Sequence, residues 1–198
     1  MKQLEERILK DGVVLPGNVL LVDSFINHQV DVELLSSCGK EWYERFKDAG
    51  VTKILTIESA GIGIACITAQ YFGVPVVYAK KTRGSNFNTD FYSTKVVSYT
   101  HGQVYEVLVS KKFIQPGDRI LLIDDFLANG SAMKVLINLA EMGGATVVGA
   151  GVIIEKAYQR GGKDIRAMGY RIESLAKIKE MNDNSIIFAE TDKETDNV

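Results

Sequence analysis

The sequence predicts an α/β fold, a parallel sheet flanked by helices. Three observations lead there. Short apolar runs alternate with helical patterns through the middle of the chain, from Lys53 to Glu155. One run, Ile120-Leu121-Leu122-Ile123, is apolar without alternation, the mark of a strand covered on both faces. Glu58, Lys80, Asp124 and Lys156 each fall at or near the carboxyl end of such a run, where parallel sheets bind ligands.

The elements follow in order. Leu4 and Ile8 share one face of a short opening helix that Gly12 ends. Val13 to Asn27 reads as irregular, with Pro16-Gly17 and the stretch Val19-Leu20-Leu21-Val22. Asp31 caps a helix with an apolar stripe of Leu34 or Leu35, Cys38, Trp42 and Phe46, and Gly50 stops it. Lys53 to Glu58 is a strand. Ser59-Ala60-Gly61 turns into a helix running to Phe72 and closed by Gly73. Pro75 to Lys80 is the next strand. Thr82 to Thr94 is polar and without a helical stripe, so it reads as a loop. Strands follow at Val96 to Tyr99 and Val104 to Val109. Pro116-Gly117-Asp118 turns into the apolar strand, and a helix covers Ser131 to Glu141. Gly143-Gly144 leads to a long strand, Thr146 to Glu155. Tyr170 to Ala176 and Ile186 to Phe188 are late strands, and the acidic Glu190 to Val198 frays.

No repeat or low-complexity linker divides the 198 residues, so we expect one domain, 1–198. A hydrophobic fraction of 46% suits an ordinary soluble globule with a substantial core. Net charge is −2, which offers no basic field for nucleic acid. The charged N-terminus lacks the apolar core of a signal peptide, and no apolar run is long enough to span a bilayer. A cytoplasmic protein is expected. Cys38 and Cys66 lack CxxC spacing, and both are expected as packed free thiols on apolar helix faces. His28 and His101 have no second ligand at metal spacing and read as structural or exposed, so no protein metal site is expected.

The segment Asp124-Asp125-Phe126-Leu127-Ala128-Asn129-Gly130-Ser131-Ala132 carries the chemistry. Two adjacent carboxylates at a strand end can accept hydrogen bonds from vicinal ribose hydroxyls. The N–H groups of Ala128, Asn129, Gly130, Ser131 and Ala132, with the positive end of the following helix, can hold a 5′-phosphate. Glu58-Ser59-Ala60-Gly61 is a second small-residue turn at a helix start, able to offer N–H groups to an anion. Taken alone, it could equally be a plain strand-to-helix connection. Lys80-Lys81 can neutralise anionic charge, and the pattern leaves open which of the two reaches in. Thr82 to Thr94 could be a closing lid or an ordinary solvated loop.

On these residues the chain resembles the type I phosphoribosyltransferases, which use phosphoribosyl pyrophosphate (PRPP), and most closely their bacterial xanthine branch. Thr56-Ile57-Glu58-Ser59-Ala60-Gly61-Ile62, Gly73-Val74-Pro75-Val76-Val77 and Val152-Ile153-Ile154-Glu155-Lys156 match as well. The resemblance implies a type I core with a small hood over the base site, to which residues 1–30 contribute. It implies transfer from PRPP to a purine, Asp124 and Asp125 on the ribose, and Mg²⁺ arriving with PRPP. The Glu58–Gly61 turn and the lysines would then hold pyrophosphate, and the turn would contain a cis peptide. Lys156 would meet the purine 6-oxo group, as a donor that cannot accept. Leu20 would cover the purine face and Asn27 would donate to a 2-oxo group. A homodimer is implied too.

One departure matters. Many 6-oxopurine transferases carry an Asp at the position of Ala128, as a base for the purine. Without it, a purine that loses a proton readily is favoured, and xanthine does so more easily than hypoxanthine or guanine. A transferase for guanine or hypoxanthine is the nearest alternative. A PRPP-sensing regulator is a further one, though the N-terminus is too short for a winged helix.

Overall fold

The computed structural model describes residues 1–81, 90–97, 104–182 and 185–189. The chain opens with helix α1 (Lys2–Asp11), strands β1 (Val13–Leu15) and β2 (Val19–Leu21), and a single π-helical turn at Asp23–Asn27. Helix α2 (Val32–Phe46), strand β3 (Lys53–Ile57), helix α3 (Ala60–Phe72) and strand β4 (Val76–Ala79) follow. Then come β5 (Phe91–Val97), β6 (Val104–Ser110), β7 (Arg119–Leu127), α4 (Ser131–Met142) and β8 (Thr146–Lys156). Helix α5 (Gly161–Ala167), β9 (Ile172–Asn182) and β10 (Ser185–Phe188) complete it.

Six strands form the central sheet in the order β10-β9-β8-β7-β3-β4. Every pairing is parallel except β10 with β9. The parallel α/β prediction therefore holds, with one antiparallel edge strand. Pleat alternation along β7 sends Leu121 and Ile123 into one apolar layer, and Ile120 and Leu122 into the other. The first layer lies under α1, α2 and α3, with Leu35, Trp42, Phe46 and Ile64 fully buried. The second lies under α4, α5 and the β5–β6 hairpin, with Leu136, Leu139 and Ile165 fully buried. Asp31 caps α2 as the sequence predicts, its carboxylate accepting from Leu34 N at 3.0 Å, a cap of about 1 kcal/mol.

Several expectations need correction. Val13 to Asn27 is not irregular throughout. β1 and β2 form a hairpin, closed by a turn in which Gly17 and Asn18 take positive φ. The polar segment expected as a loop to Thr94 ends earlier, because Phe91 already begins β5, paired with Ser110. Alternation on β6 supplies the partner that the sequence reading of Phe91–Thr94 lacked. Residues 82–89 and 98–99 of the lid and strand expectations, His101, and the whole acidic tail from Glu190 lie outside the described residues. Cys38 is buried, and burial pushes its thiol up to about 12. Cys66 is exposed, not packed, because it falls on the outer face of α3. Helix α5 had no counterpart in the sequence reading.

Candidate active site

The parallel strands β3, β4, β7 and β8 bring Glu58, Lys80, Asp124 and Lys156 to the same end of the sheet, as the sequence predicts. Ile57, Glu58, Ser59, Ala60, Gly61, Lys81, Asp124, Asp125, Phe126 and Ala132 line one cavity of about 270 Å³. The Glu58–Gly61 turn and Ala132, the last residue of the second small-residue turn, thus face a common space. The Glu58–Ser59 peptide is cis, as the resemblance implied. The N-cap residues of α3 and α4, Ser59 and Gly130, make no side-chain cap bond, so N–H groups at both helix starts, Ser131 N apart, are presented to this end of the sheet.

The two carboxylates differ. Asp124 is 5% exposed, and its Oδ1 accepts from Asp125 N at 3.0 Å. Burial, with the Asp125 charge beside it, pushes the Asp124 carboxyl well above the usual range, against a smaller downward pull from Lys81. Asp125 is half-buried, accepting from Phe126 N at 2.9 Å and from Asn27 Nδ2 at 3.4 Å.

The lysine pair divides. Lys81 lines the cavity, and its backbone N–H donates to Glu58 Oε1. Lys80 exchanges backbone hydrogen bonds with Leu108, both 2.9 Å, and its Nζ lies 5.6 Å from the Tyr78 ring centre. It lines a separate cavity beside β4. Adjacent residues of an extended chain face opposite ways, which separates the two.

In the loop of residues 128–132, Gly130 takes φ 81°, a conformation open to glycine. Asn129 Oδ1 accepts from Ser131 N at 2.9 Å, occupying an N–H that an anion would otherwise take. Lys156 Nζ donates to the Asn18 carbonyl at 2.8 Å and lies 5.9 Å from the centre of the Phe126 ring. Burial lowers its pKa. Lys156 thereby joins the β1–β2 turn to the motif strand, and Asn27 joins the π-turn to Asp125. Leu20 is 5% exposed and packs in the first apolar layer. It does not line the described cavity, and neither do Asn27 and Lys156, which flank Asp125 and Phe126.

Comparison with known proteins places this geometry. The sequence pattern of the phosphoribosyl transferase domain matches residues 33–184. The chain belongs to the phosphoribosyl transferase family. A phosphoribosyltransferase resemblance read from the motif is therefore correct, and the chain is a transferase. Among similar proteins, the xanthine phosphoribosyltransferase of Lachnoclostridium phytofermentans is 54% identical over 95% of this chain and 98% of its own length. That of Finegoldia magna is 52% identical over 95% and 99%. Adenine phosphoribosyltransferase from Rhodothermus marinus superposes with a TM-score of 0.74 at 22% identity, covering 90% of this chain and all of that one. At that identity it shares the fold.

Two features escaped the sequence reading. Phe126, which the sequence offers only as part of the motif, lines the cavity and has its ring centre 5.9 Å from Lys156 Nζ. Glu155 is 3% exposed, and its partners Arg166 and Ser174 come from α5 and β9. A carboxylate ending an apolar strand was the available signal, since a buried charge requires a partner.

Proposed function

We propose that this protein transfers the 5-phosphoribosyl group of PRPP to xanthine, giving xanthosine 5′-monophosphate and pyrophosphate, as a purine-salvage step. The observation that carries this is the single cavity shared by Asp124, Asp125, the Glu58–Gly61 turn and Lys81. A ribose bearing phosphates at both ends matches that arrangement of carboxylates between two helix N-termini. Asp124 and Asp125 hold the ribose hydroxyls, and residues 128–132 hold the 5′-phosphate. The 58–61 turn and Lys81 take the pyrophosphate, with Lys80 on the neighbouring face.

A purine nitrogen forms the new bond to C1 as the C1–O bond to pyrophosphate breaks. The purine proton leaves to solvent, and the electron pair of the broken bond stays with pyrophosphate. Backbone donors and Lys81 stabilise that developing charge, and the rest of the acceleration is positioning. Among the described residues no three carboxylate, histidine or cysteine side chains cluster as a metal cage. The donors at hand, Asp124, Asp125 and Glu58, fit Mg²⁺ held chiefly by PRPP oxygens, where it would neutralise pyrophosphate.

The base is read from Ala128 and Lys156. Lys156 donates to the 6-oxo group, Asn27 to the 2-oxo group, and Leu20 backs the purine once the hood adjusts. Ala128 supplies no base, which favours the more acidic xanthine, the substrate in the relatives' names. Residues 1–30 form the hood within one domain of 1–198, a division supported by Leu4, Ile8, Leu20 and Phe25 sharing a core with α2 and the sheet. A homodimer is supported by strand β4 at the edge of the six-stranded sheet, with Tyr78 and Phe113 exposed beside a mainly apolar cavity of about 590 Å³. No helix among the described residues is long and apolar enough to cross a membrane, consistent with a cytoplasmic enzyme.

Initial rates with saturating Mg-PRPP and xanthine, guanine, hypoxanthine or adenine test the substrate. Xanthine should give the highest kcat/KM. A higher value for guanine or hypoxanthine would replace the substrate assignment, and PRPP binding without turnover on any base would point to a sensor.

A further inference from the structure

Glu155 precedes Lys156 on β8 and points to the opposite face of the sheet. Its carboxylate is held by three hydrogen bonds. Arg166 donates from Nη1 to Oε1 at 2.6 Å and from Nη2 to Oε2 at 2.8 Å, and Ser174 Oγ donates to Oε2. Burial pushes the Glu155 pKa up, but the bonds from Arg166 and Ser174 outweigh it and hold the group below its ordinary value. Charge is thus retained inside the protein, in a bidentate geometry that fixes direction as well as distance.

Arg166 belongs to α5, and α5 braces the loop of residues 128–132 from behind. Gly161, its first residue, donates its N–H to the Ala128 carbonyl at 3.1 Å. A Cβ at Gly161 would lie 2.4 Å from Ala128 O and 2.5 Å from Gly130 N. A Cβ at Gly162 would lie 1.9 Å from Glu155 Oε1. Two successive glycines therefore let one helix start press against the loop and the carboxylate together. Lys134 in the first turn of α4 adds an ion pair to Asp164 of α5 at 3.2 Å.

We propose that Glu155 and Arg166 are positioning residues for the transfer. They lock α5 to the end of β8, and Gly161 transmits that position to the loop of residues 128–132. One strand end then sets the base contact, Lys156, and the phosphate contact, residues 128–132, at a fixed separation. This rests on the assignment of that loop to the 5′-phosphate and of Lys156 to the base.

The test measures kcat, KM for Mg-PRPP and for xanthine, and Tm in Arg166→Ala, Arg166→Lys and the volume-conserving Glu155→Gln. The matched control is Asp118→Asn, which breaks another half-buried pair, Lys53–Asp118 at 2.6 Å, at the far end of β3 and β7. Arg166→Ala and Glu155→Gln should raise KM for PRPP by roughly tenfold, as a small misplacement of a binding group does. Arg166→Lys should recover part of the loss. Asp118→Asn should lower Tm and leave KM for PRPP unchanged. Gly161→Ala, which presses on the loop directly, should be strongly non-additive with Arg166→Ala. Unchanged PRPP kinetics in Glu155→Gln, or additive effects of Gly161→Ala and Arg166→Ala, would overturn the proposal. Gly130→Val and Lys156→Ala keep the two levels apart. If they too leave both KM values unchanged, the site assignment itself has failed; if they act and the Glu155 and Arg166 variants do not, only the positioning role has.

Discussion

Asp124 and Asp125 line one cavity but differ in environment: Asp124 is 5% exposed, whereas Asp125 lies half-buried and takes a hydrogen bond from Asn27. Pleat alternation turns the two carboxylates to opposite faces of the sheet, with Asp125 on the side of Asn27. The pair therefore combines a costly buried acid with an accessible one.

That cost gives a stability prediction. The Asp124 pKa is raised above its unfolded value of 3.8, chiefly by burial. Above pH 3.8 the unfolded chain releases this proton while the folded chain retains it. The folded state then binds more protons, so stability falls as pH rises from there to the folded pKa. Asp124→Asn removes the penalty. Its Tm should exceed that of the unsubstituted protein near neutral pH without ligand, and the gap should close toward pH 3.8. Turnover should fall on the order of tenfold or more, because the amide replaces one of the two carboxyl oxygens that face the ribose hydroxyls. Thermal melts across pH with parallel kinetics check both halves. An Asn variant less stable at every pH would remove the buried-acid argument.

Gly130→Val tests the phosphate loop. The native φ of 81° disfavours a branched side chain, and a Cβ would lie 3.0 Å from Gly161 Cα. We expect a stability loss of about 1–3 kcal/mol. KM for PRPP should rise more than KM for xanthine. Equal loss of both, measured under conditions where the variant is folded, would show a general defect instead.

The lysine pair makes a directional prediction. Lys81→Ala should raise KM for Mg-PRPP and weaken inhibition by pyrophosphate, each by roughly tenfold, as expected for losing a charged donor. Lys80→Ala should change both much less, since Lys80 lies against Tyr78 and a different cavity. Pyrophosphate inhibition constants for the two variants decide it. The reverse ranking would mean that closure around substrate exchanges the two side chains.

That division illustrates what the sequence could and could not carry. Apolar runs and their acidic ends located β3, β7 and β8 because a doubly covered strand leaves a continuous hydrophobic signature. The place of the Asp-Asp turn, between a strand end and a helix start, was legible because both neighbours are local in sequence. The choice between Lys80 and Lys81 was not, since it depends on which way the pleat faces, and that is set by pairing with Leu108. Helix α5 was hidden by its length of seven residues and by Gly161-Gly162, a pair with low helix propensity. The Glu155–Arg166 pair spans two elements, and no spacing rule announces it. Cys66 misled because a helix so rich in apolar and small residues has no clear polar face.

Lys156 gives a pH signature. Burial lowers its pKa below the ordinary 10.5, so its charged form is lost earlier as pH rises. Lys156→Ala should cut kcat/KM for xanthine by roughly ten- to a hundredfold near neutral pH. The ratio of unsubstituted to variant kcat/KM should decline on the alkaline side before pH 10.5 is reached. A ratio constant through that range would show that the lysine charge plays no part in base binding.

Ala128 supplies the last prediction. Its carbonyl is engaged by Gly161, but its half-buried side chain holds no group able to take a proton from the purine. The base must then enter partly ionised, and xanthine has the larger anionic fraction. The xanthine advantage over hypoxanthine should therefore grow from mildly acidic to mildly alkaline pH. Ala128→Asp restores an acceptor where many 6-oxopurine transferases carry one. It should raise hypoxanthine turnover more than xanthine turnover and flatten the pH dependence of their ratio. Rates for both bases at saturating Mg-PRPP across that range provide the check. A ratio that is already flat in the unsubstituted protein would sink the ionisation argument while leaving the substrate assignment standing, because Lys156 and Asn27 could still select xanthine by hydrogen bonding. A preference for hypoxanthine throughout would sink the assignment itself.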